Sequence, residues 1–304
     1  MASERDFEKA VKACYSTWSR TYYQDYYGDK AAYPPVHLHL IRGLLLKAGA
    51  KKVLDAGCGP ASLLRDLAAD NFDLYGFDLT PEMVAEARRV MEGLGSPKDH
   101  IWEGSVLSPQ SFRPPGAGKA AAFDAALCVG VLPHIPAAAD REVILNLRQA
   151  VRPGGLVVLE ARNQLFALFT LNRYSYEFFM EELMRVEDWR QKLGPDAARL
   201  EGVWPRLKER FRLDLPPVRQ GKSGEPGYDE VISRTHNPLV LKEQFQEAGF
   251  AEVELLFYHY HCLPPMFEGE APELFRRESL AQENPTDWRG YFMASAFLLA
   301  GRRR

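Results

Sequence analysis

The sequence predicts an α/β fold of the doubly wound type, in which helices cover both faces of a mostly parallel sheet. Two observations predict it. Short apolar runs alternate with amphipathic helical segments over residues 50–160, and the alternation resumes after residue 236. The first run also enters a glycine-rich turn at residues 55–59, and the second run ends in an acid, Asp78. Such β-α-β units bind ligands at the carboxyl edge of the sheet.

The individual elements follow from periodicity and boundary signals. Residues 1–50 show helical spacing of apolar residues and carry a tyrosine-rich patch. Thr80 and Pro81 predict the start of the helix at 81–94, because these residue types favour the N-cap and N1 positions. An Arg-Pro-Gly-Gly sequence at 152–155 predicts a turn before the fifth strand. The predicted strands are 52–55, 74–78, 101–103, 123–129, 156–160, 253–260 and 292–300, and the other predicted helices are 36–48, 61–69, 140–150 and 238–248.

The composition is that of an ordinary globular protein. The chain has 304 residues, of which 46% are hydrophobic and 26% charged, and its net charge is −3. The only dense basic run is residues 302–304, so nucleic acid is not the expected partner. The four cysteines lie far apart, which predicts reduced thiols and argues against a thiolate zinc site.

The sequence also gives an expectation of cellular location. The first ten residues lack the apolar core of a signal peptide. No window approaches the roughly 18–20 apolar residues of a membrane-spanning helix. We therefore expect a cytoplasmic protein without a membrane partner. No spacing of histidines and carboxylates predicts a metal site.

The acidic residues of the first β-α-β unit indicate which kind of nucleoside ligand the site binds. A dinucleotide site has the pattern G-x-G-x-x-G, but Ser62 takes the third glycine position here. Asp55 ends the first strand, where its charge would repel a phosphate and suit a cation. Asp78 lies 19 residues after Gly59, near the spacing of an acid that binds ribose hydroxyls. S-adenosylmethionine fits these features, because it has one ribose, no phosphate and a cationic methionine end.

Four motifs then resemble the class I S-adenosylmethionine-dependent methyltransferases, over residues 50–160 and 236–300. They are the glycine-rich turn at 55–59, Asp78 with its neighbours, the strand at 123–128 continuing into 131–134, and the segment 147–156. The resemblance implies a seven-stranded sheet with an antiparallel last strand. It further implies a helical cap at 1–48, a cofactor-binding core at 49–162 and 229–304, and a helical lid insertion over the acceptor at 163–228. Ala61 and Ser105 depart from the family pattern, which often has a glycine and an adenine-binding acid there.

The resemblance also assigns cofactor contacts. Asp78 is expected to accept both ribose hydroxyls, and Asp55 to act on the methionine end indirectly, through water or the loop. Tyr15 and Tyr22 resemble tyrosines that reach over the cofactor. The remaining expected contacts are Ala56, Gly57, Cys58, Gly59, Leu79, Met83, Gly104, Ser105, Val106, Cys128 and Val129.

Methyl transfer needs alignment of donor and acceptor and, for an oxygen acceptor, a base. His134, Glu160 and His236 are the expected catalytic candidates. His134 follows the fourth strand and Glu160 ends the fifth, both at the carboxyl edge, whereas His236 precedes the helix at 238–248 as either a helix cap or a substrate contact. His259 and His261 alternate on one strand with tyrosines, and we expect structural roles for both. The expected acceptor contacts are Tyr26, Arg162, Asn163, Phe166, Tyr174, Arg234 and Asn237.

The sequence therefore predicts methyl transfer to a small or medium-sized acceptor, with oxygen favoured over nitrogen. A natural product and a sugar of a surface glycan both fit, and the arginines suggest an anionic acceptor. Three alternatives stay open at this point. They are a non-catalytic S-adenosylmethionine-binding sensor or accessory subunit, a nicotinamide-dependent oxidoreductase, and a methyltransferase acting on a protein or nucleic acid. The oligomeric state also stays open, with a homodimer as one option.

Overall fold

The computed structural model describes residues 4–28, 34–116, 123–183, 187, 191, 205, 208–209, 211, 213 and 231–304. Most of residues 184–230, the second part of the predicted lid insertion, lies outside this set. The strands are β1 (Lys52–Ala56), β2 (Asp73–Asp78), β3 (Ile101–Glu103), β4 (Phe123–Cys128), β5 (Val151–Arg162), β6 (Phe250–Tyr260) and β7 (Ala294–Arg303). The α-helices in these ranges are α1 (Glu4–Ser16), α2 (Tyr22–Tyr26), α3 (Val36–Lys47), α4 (Ser62–Leu67), α5 (Pro81–Gly93), α6 (Asp140–Ala150), α7 (Ala167–Thr170), α8 (Arg173–Glu177), α9 (Pro238–Glu247), α10 (Pro272–Ala281) and α11 (Gly290–Met293). Of the helices in these described ranges, none has both the length and the apolar content needed to cross a bilayer.

Within the described residues, the seven strands form one sheet in the order β3-β2-β1-β4-β5-β7-β6. β1 pairs in parallel with β2 and β4, whereas β7 is antiparallel to both β5 and β6. This arrangement confirms the predicted doubly wound sheet with an antiparallel last strand. The chain moves outward from β1 in one direction and from β4 in the other. The carboxyl ends of β1 and β4 therefore flank the switch point, where such sheets bind ligands.

Both faces of the sheet are covered by helices, as predicted. Successive residues of a strand point to opposite faces, and Val53 and Leu54 of β1 accordingly belong to two separate clusters of buried side chains. Helices α6 and α9 cover the face of Leu54 through Leu147 and Phe245. Helix α3 covers the opposite face through Leu45. Helices packed on both faces of the sheet thus hold the strand ends in place.

Several predicted boundaries are wrong, among them the start of β6 at Phe250 rather than residue 253 and the end of β7 at Arg303 rather than residue 300. The Arg-Pro-Gly-Gly sequence at 152–155 lies inside β5 rather than before it. The β4–β5 register shifts between Phe123 and Ala125, and Gly154 has a φ of +76°, so the sheet absorbs the extra residues as a bulge. The last strand begins at Ala294 instead of residue 292, because residues 290–293 form α11.

The amino-terminal segment lies beside the switch point. Cys14 and Trp18 form a buried cluster with Met83 of α5 and with Val231. The rings of Tyr22 and Tyr26 are 4.6 Å apart, a separation typical of favourable aromatic pairs. The tyrosine-rich patch therefore packs over the carboxyl edge of the sheet. The division of the chain into cap, core and lid at residues 48, 162 and 228 stays a prediction.

Candidate active site

The glycine-rich turn between β1 and α4 has a shape that only glycine permits at one position. The amides of Gly57 and Cys58 donate to the carbonyl oxygen of Phe77, at 2.8 and 2.9 Å, which ties the turn to β2. Gly57 has a φ of +85°, and a Cβ there would lie 2.3 Å from Cγ2 of Val131. Ala61 adopts the left-handed conformation with a φ of +61°. That conformation explains why glycine suits this position in the family pattern.

Asp78 anchors the middle of the site. Its Oδ2 accepts a hydrogen bond from the Gly59 amide at 2.9 Å, and its Oδ1 accepts one from the Thr80 amide at 2.8 Å. Burial raises the pKa of this carboxyl, and the backbone donors at Thr80 and Gly59 oppose that rise. Each carboxylate oxygen can accept a second hydrogen bond. The side chain is therefore arranged to bind a pair of ligand hydroxyls.

A cleft of about 710 Å³ opens above the turn and Asp78; we call it the cofactor cleft. Most of the residues expected to contact a cofactor line it. These are Tyr15, Tyr22, Gly57, Gly59, Asp78, Leu79, Met83, Gly104, Ser105, Val106 and Val129. Ala56, Cys58 and Cys128 are buried in the core behind the lining.

Asp55 lies beneath the turn and does not line the cleft. It is only 2% exposed, and among the described residues its Oδ1 has no hydrogen-bond partner. Burial, and secondarily the charge of Asp78, raises the pKa of Asp55 to about 8. A cation above the turn would favour the charged form of this carboxyl. This position matches the indirect role expected from the sequence.

A second cleft of about 1090 Å³ adjoins the first; we call it the acceptor cleft. Tyr26, Glu160 and Arg162 line it, and their roles as acceptor contacts or catalytic candidates stay predictions. The two clefts share five lining residues, which we call the junction. These are Tyr15, Tyr22, Val129, Gly130 and His134. A ligand in each cleft would meet its neighbour at the junction.

His134 holds one defined tautomer at the junction. Its Nδ1 donates to the carbonyl oxygen of Ile232 at 2.7 Å, so its Nε2 accepts from the Tyr15 hydroxyl at 2.8 Å. Burial lowers the pKa of His134 to about 4, and the charge of Arg162 lowers it further, while the Ile232 carbonyl opposes the shift. The imidazole is therefore neutral at neutral pH and presents an acceptor nitrogen to the junction.

The lowered pKa of His134 predicts that the unfolding free energy of the protein depends on pH. Because the folded pKa of about 4 lies below the ordinary value of 6.5, the unfolded chain binds the proton first as the pH falls. Relative to His134→Gln, the wild type should therefore lose up to about 3 kcal/mol of unfolding free energy between pH 6.5 and 4. Urea unfolding of both proteins across this range would measure it. A difference that does not change with pH would contradict the buried neutral histidine.

Glu160 supports the junction from below. Its Oε2 accepts from the Gly130 amide at 2.5 Å, and its Oε1 accepts from the Tyr258 hydroxyl at 2.9 Å. The side chain is 8% exposed. Both carboxylate oxygens are thus engaged in holding the loop after β4 and the acceptor-cleft wall. The geometry favours a positioning role for Glu160 over that of a base.

Two neighbouring residues of β6 both line the acceptor cleft, contrary to the expected alternation. Tyr258 and His259 would point to opposite faces of a regular strand. His259 has a φ of +57°, although the β6–β7 register stays constant from Tyr258 opposite Ala296 to Tyr260 opposite Ala294. The irregularity turns His259 toward the cleft, so the expectation of a purely structural His259 does not fit its position. His261 lies outside the lining and packs against Phe166 at 4.8 Å between ring centroids.

The structure does not bring His236 and Arg234 to the junction. They lie in a separate cleft with Asp140. Nη2 of Arg234 donates to both Asp140 oxygens at 2.7 and 2.8 Å and to Nε2 of His236 at 2.6 Å. The charge of Arg234 is therefore neutralised within the protein. Asn237 caps α9 by accepting from the Leu239 amide at 3.0 Å.

The remaining expected acceptor contacts lie in a fourth cleft next to the acceptor cleft. Asn163, Phe166 and Tyr174 line it, and it shares Arg162 with the acceptor cleft. Nδ2 of Asn163 donates to three backbone carbonyls, of which that of Ala294 is 2.8 Å away. Asn163 therefore fixes the segment before β7. Among the described residues, no group of three or more histidine, cysteine or carboxylate side chains is arranged to hold a metal ion.

Sequence reasoning missed several lining residues because they come from elements without a motif. Phe7, Glu8 and Val11 of α1 line the cofactor cleft. Tyr27 and His37 line the acceptor cleft, where Nε2 of His37 lies 3.1 Å from the Tyr27 hydroxyl. The helical spacing of Phe7 and Val11 gave a signal for one buried helix face. That spacing did not indicate which cavity the face covers.

Comparison with known proteins agrees with this geometry. A family described as "Methyltransferase domain" matches residues 54–157. A ubiquinone biosynthesis O-methyltransferase of Xanthomonas axonopodis pv. citri is 32% identical over 137 residues, covering 45% of this chain and 53% of the relative. A protein of the same name from Aromatoleum aromaticum is 30% identical over 135 residues, covering 44% and 54%. The chain thus spans about half the length of these relatives.

A solved structure extends the likeness of the fold. A chain of the complex between the Haloferax volcanii Trm112 methyltransferase activator and a putative methyltransferase superposes with a TM-score of 0.50 and 14% identity, covering 95% of this chain and 96% of that one. The sheet order is that of a doubly wound α/β protein. Residues 54–157 match a methyltransferase domain, which agrees with the predicted likeness to class I S-adenosylmethionine-dependent methyltransferases and with S-adenosylmethionine as the predicted cofactor.

Proposed function

We propose that the protein transfers a methyl group from S-adenosylmethionine to an oxygen of a small or medium-sized acceptor. The observation that carries the proposal is the junction, where the cofactor cleft and the acceptor cleft share His134 and four neighbours. A donor in one cleft and an acceptor in the other would be held side by side. Such alignment lowers the barrier of a two-substrate reaction.

The residues of the cofactor cleft fit S-adenosylmethionine. Gly57 leaves no room for a Cβ beside Val131, so the backbone itself forms the floor. Asp78 offers both carboxylate oxygens to the ribose hydroxyls. A cationic methionine end above the turn would favour the charged form of the buried Asp55 carboxyl. When bound, the cofactor supplies a methyl group on a cationic sulfur that leaves as a neutral thioether, so no acid has to protonate the leaving group.

His134 would take the proton that the acceptor hydroxyl loses. Its Nδ1 proton is held by the Ile232 carbonyl, so Nε2 is the basic position. Nε2 accepts from the Tyr15 hydroxyl, and the acceptor hydroxyl would take the place of that hydroxyl at Nε2. A hydroxyl oxygen becomes far more acidic as it forms its new bond to carbon. A base with a pKa of about 4 is then strong enough, and it stays unprotonated at neutral pH.

The wall of the acceptor cleft favours a planar, largely apolar acceptor that carries a hydroxyl. Tyr22, Tyr26, Tyr27 and Tyr258 all line it, and tyrosines combine apolar area with hydroxyl groups. Arg162 adds a cation, which supports an anionic substituent on the acceptor. The relatives named as O-methyltransferases support oxygen as the methylated atom. A hydroxylated natural product fits these features best.

Labelled-methyl transfer with a matched variant tests the proposal. Wild-type protein, S-adenosylmethionine carrying a labelled methyl group and a cell extract split into metabolites and macromolecules would be mixed. We expect label in the metabolite fraction, and mass spectrometry would identify the product. For His134→Gln we expect at least a 100-fold lower kcat, with the dissociation constant of S-adenosylhomocysteine within threefold of wild type.

His261→Gln is the matched control. His261 is a half-buried histidine, and burial likewise lowers its pKa to about 4, but it lies outside the lining of both clefts. We expect it to retain wild-type turnover. Label in the macromolecules alone would overturn the small-molecule acceptor. Tight cofactor binding with no transfer in any fraction would favour the non-catalytic sensor or accessory subunit.

A further inference from the structure

Residues 231–236 form an extended segment that lies beside His134; we call it the clamp segment. Nδ1 of His134 donates to the carbonyl oxygen of Ile232 at 2.7 Å. The amide of Arg234 donates to the carbonyl oxygen of Pro133 at 2.9 Å. Apart from one isolated β-bridge at its end, the segment belongs to no helix or strand. Its position therefore depends on the side chains that anchor it.

A partly buried ion pair anchors the clamp segment. Nη2 of Arg234 donates to both carboxylate oxygens of Asp140, at 2.7 and 2.8 Å, and to Nε2 of His236 at 2.6 Å. The side chains of Arg234 and Asp140 are 22% and 11% exposed, so solvent screens their attraction only weakly. Asp140 begins α6, a helix whose Leu147 packs in the core of the sheet. The ion pair thus ties the clamp segment to a rigid element.

The carbonyl oxygen of Ile232 decides which nitrogen of His134 carries the proton. A neutral imidazole has one N–H, and the hydrogen bond of one nitrogen sets the tautomer. While Nδ1–H donates to Ile232, Nε2 can take a proton from an acceptor hydroxyl. If the carbonyl moved away, the ring could carry its proton on Nε2 and would no longer act as a base there. Arg234 is two residues from Ile232, so at most about 7 Å of extended chain separates the anchor from this carbonyl.

We propose that Asp140 and Arg234 are positioning residues that hold His134 in its basic tautomer, an inference that rests on the proposed function. Both residues line a cleft of their own, and neither lines the cofactor cleft or the acceptor cleft. They act on His134 through the clamp segment, which carries the Ile232 carbonyl. Arg234 thus orients the base, whereas the sequence predicted that it would contact the acceptor.

Another ion pair of similar burial supplies the matched control. Nε of Arg42 donates to Oδ2 of Asp70 at 2.7 Å, and these side chains are 28% and 23% exposed. Neither residue lines the cofactor cleft or the acceptor cleft. Asp70→Asn therefore weakens a comparable ion pair without touching the clamp segment. It reports the effect that a general loss of stability would have on His134.

Nitrogen NMR of histidine-labelled protein measures the tautomer of His134 directly. The ring signals of His134 are those that disappear in His134→Gln. In wild type we expect Nδ1 to carry the proton at neutral pH. In Asp140→Asn we expect the Nε2–H form to appear and the turnover of labelled methyl into the metabolite fraction to fall at least about tenfold, with unchanged affinity for S-adenosylhomocysteine. Asp70→Asn should keep the wild-type tautomer and turnover.

Each remaining outcome decides the proposal. A folded Asp140→Asn protein that keeps the wild-type tautomer would overturn it, whatever its turnover. An Nε2–H form that also appears in Asp70→Asn would show a general effect of stability and would overturn it as well. A wild type that transfers no methyl group would overturn the proposed function, whereas the tautomer spectra would still show whether Asp140 controls His134.

Arg234→Lys carries the test if Asp140→Asn does not fold, as judged by circular dichroism. Lysine keeps the charge beside Asp140, which favours folding, but its single ammonium group lacks the planar geometry of the guanidinium. We expect the Nε2–H form of His134 to appear in this variant with a smaller loss of turnover. A folded Arg234→Lys protein with the wild-type tautomer and turnover would overturn the proposal.

Discussion

Asp78→Asn should weaken the binding of S-adenosylhomocysteine at least about 30-fold, or about 2 kcal/mol. The carboxylate oxygens accept from the amides of Gly59 and Thr80, and the side chain lines the cofactor cleft. An asparagine keeps the shape but loses the charge, and its amide nitrogen cannot accept from a ribose hydroxyl. Because hydrogen bonds to charged groups contribute more than neutral ones, the loss should exceed that of an ordinary polar contact.

In Asp78→Asn, the free energy of unfolding should change less than the affinity for S-adenosylhomocysteine. Burial raises the pKa of Asp78, which shows that the folded protein holds the charged carboxyl at a cost. Replacing the charge relieves that cost but removes one acceptor for a backbone amide. We therefore expect the free energy of unfolding without ligand to stay within about 1 kcal/mol of wild type. Denaturant unfolding and calorimetry on the same samples would measure both quantities.

Asp73→Asn supplies the matched control for Asp78→Asn. Asp73 begins the strand that Asp78 ends, and its side chain is 49% exposed. It should leave ligand binding unchanged, because it lies at the opposite edge of the sheet. If folded Asp78→Asn bound S-adenosylhomocysteine within threefold of wild type, Asp78 would not be the ribose-binding acid. Tight binding of NADH instead would revive the oxidoreductase alternative.

The core of the fold could be predicted because its information is local. The apolar runs, the proline at the start of α5 and the glycine-rich turn each specify one element within a few residues. The order of those elements then specifies a parallel sheet. The cofactor side of the site follows from the same residues, since Gly57, Gly59 and Asp78 lie at the ends of β1 and β2. Because these strand ends lie at the same edge of the sheet, the topology alone brings their residues together.

The acceptor side could not be predicted because it depends on contacts between distant segments. Arg234 looked available for an anionic ligand, but its pairing with Asp140 spans 94 residues. His259 looked structural, because regular alternation was assumed where the backbone has a φ of +57°. Glu8 carried no motif at all. In each case the position of the side chain depends on long-range packing or on a backbone conformation that cannot be derived from a single sequence.

Gly57→Ala should be the most damaging single methyl addition in the cofactor cleft. The new Cβ would lie 2.3 Å from Cγ2 of Val131, so Val131 has to move. Val131 begins the loop that carries His134, whose amide donates to the Val131 carbonyl at 2.9 Å. The φ of +85° adds about 1–2 kcal/mol of backbone strain for a residue with a Cβ. We expect at least tenfold weaker binding of S-adenosylhomocysteine together with a lower unfolding free energy.

Gly95→Ala separates the strain from the clash. Gly95 has the same φ of +85°, but nothing lies within 4 Å of the Cβ that it would gain. Gly95→Ala should therefore lose about 1–2 kcal/mol of stability and bind the ligand normally. Adding Val131→Ala to Gly57→Ala removes Cγ2 and leaves the Val131 Cβ position at 3.6 Å, an ordinary contact. The double variant should recover most of the lost binding, so the two changes should couple strongly in a double-mutant cycle. Purely additive effects would show that the clash with Val131 does not cause the lost binding.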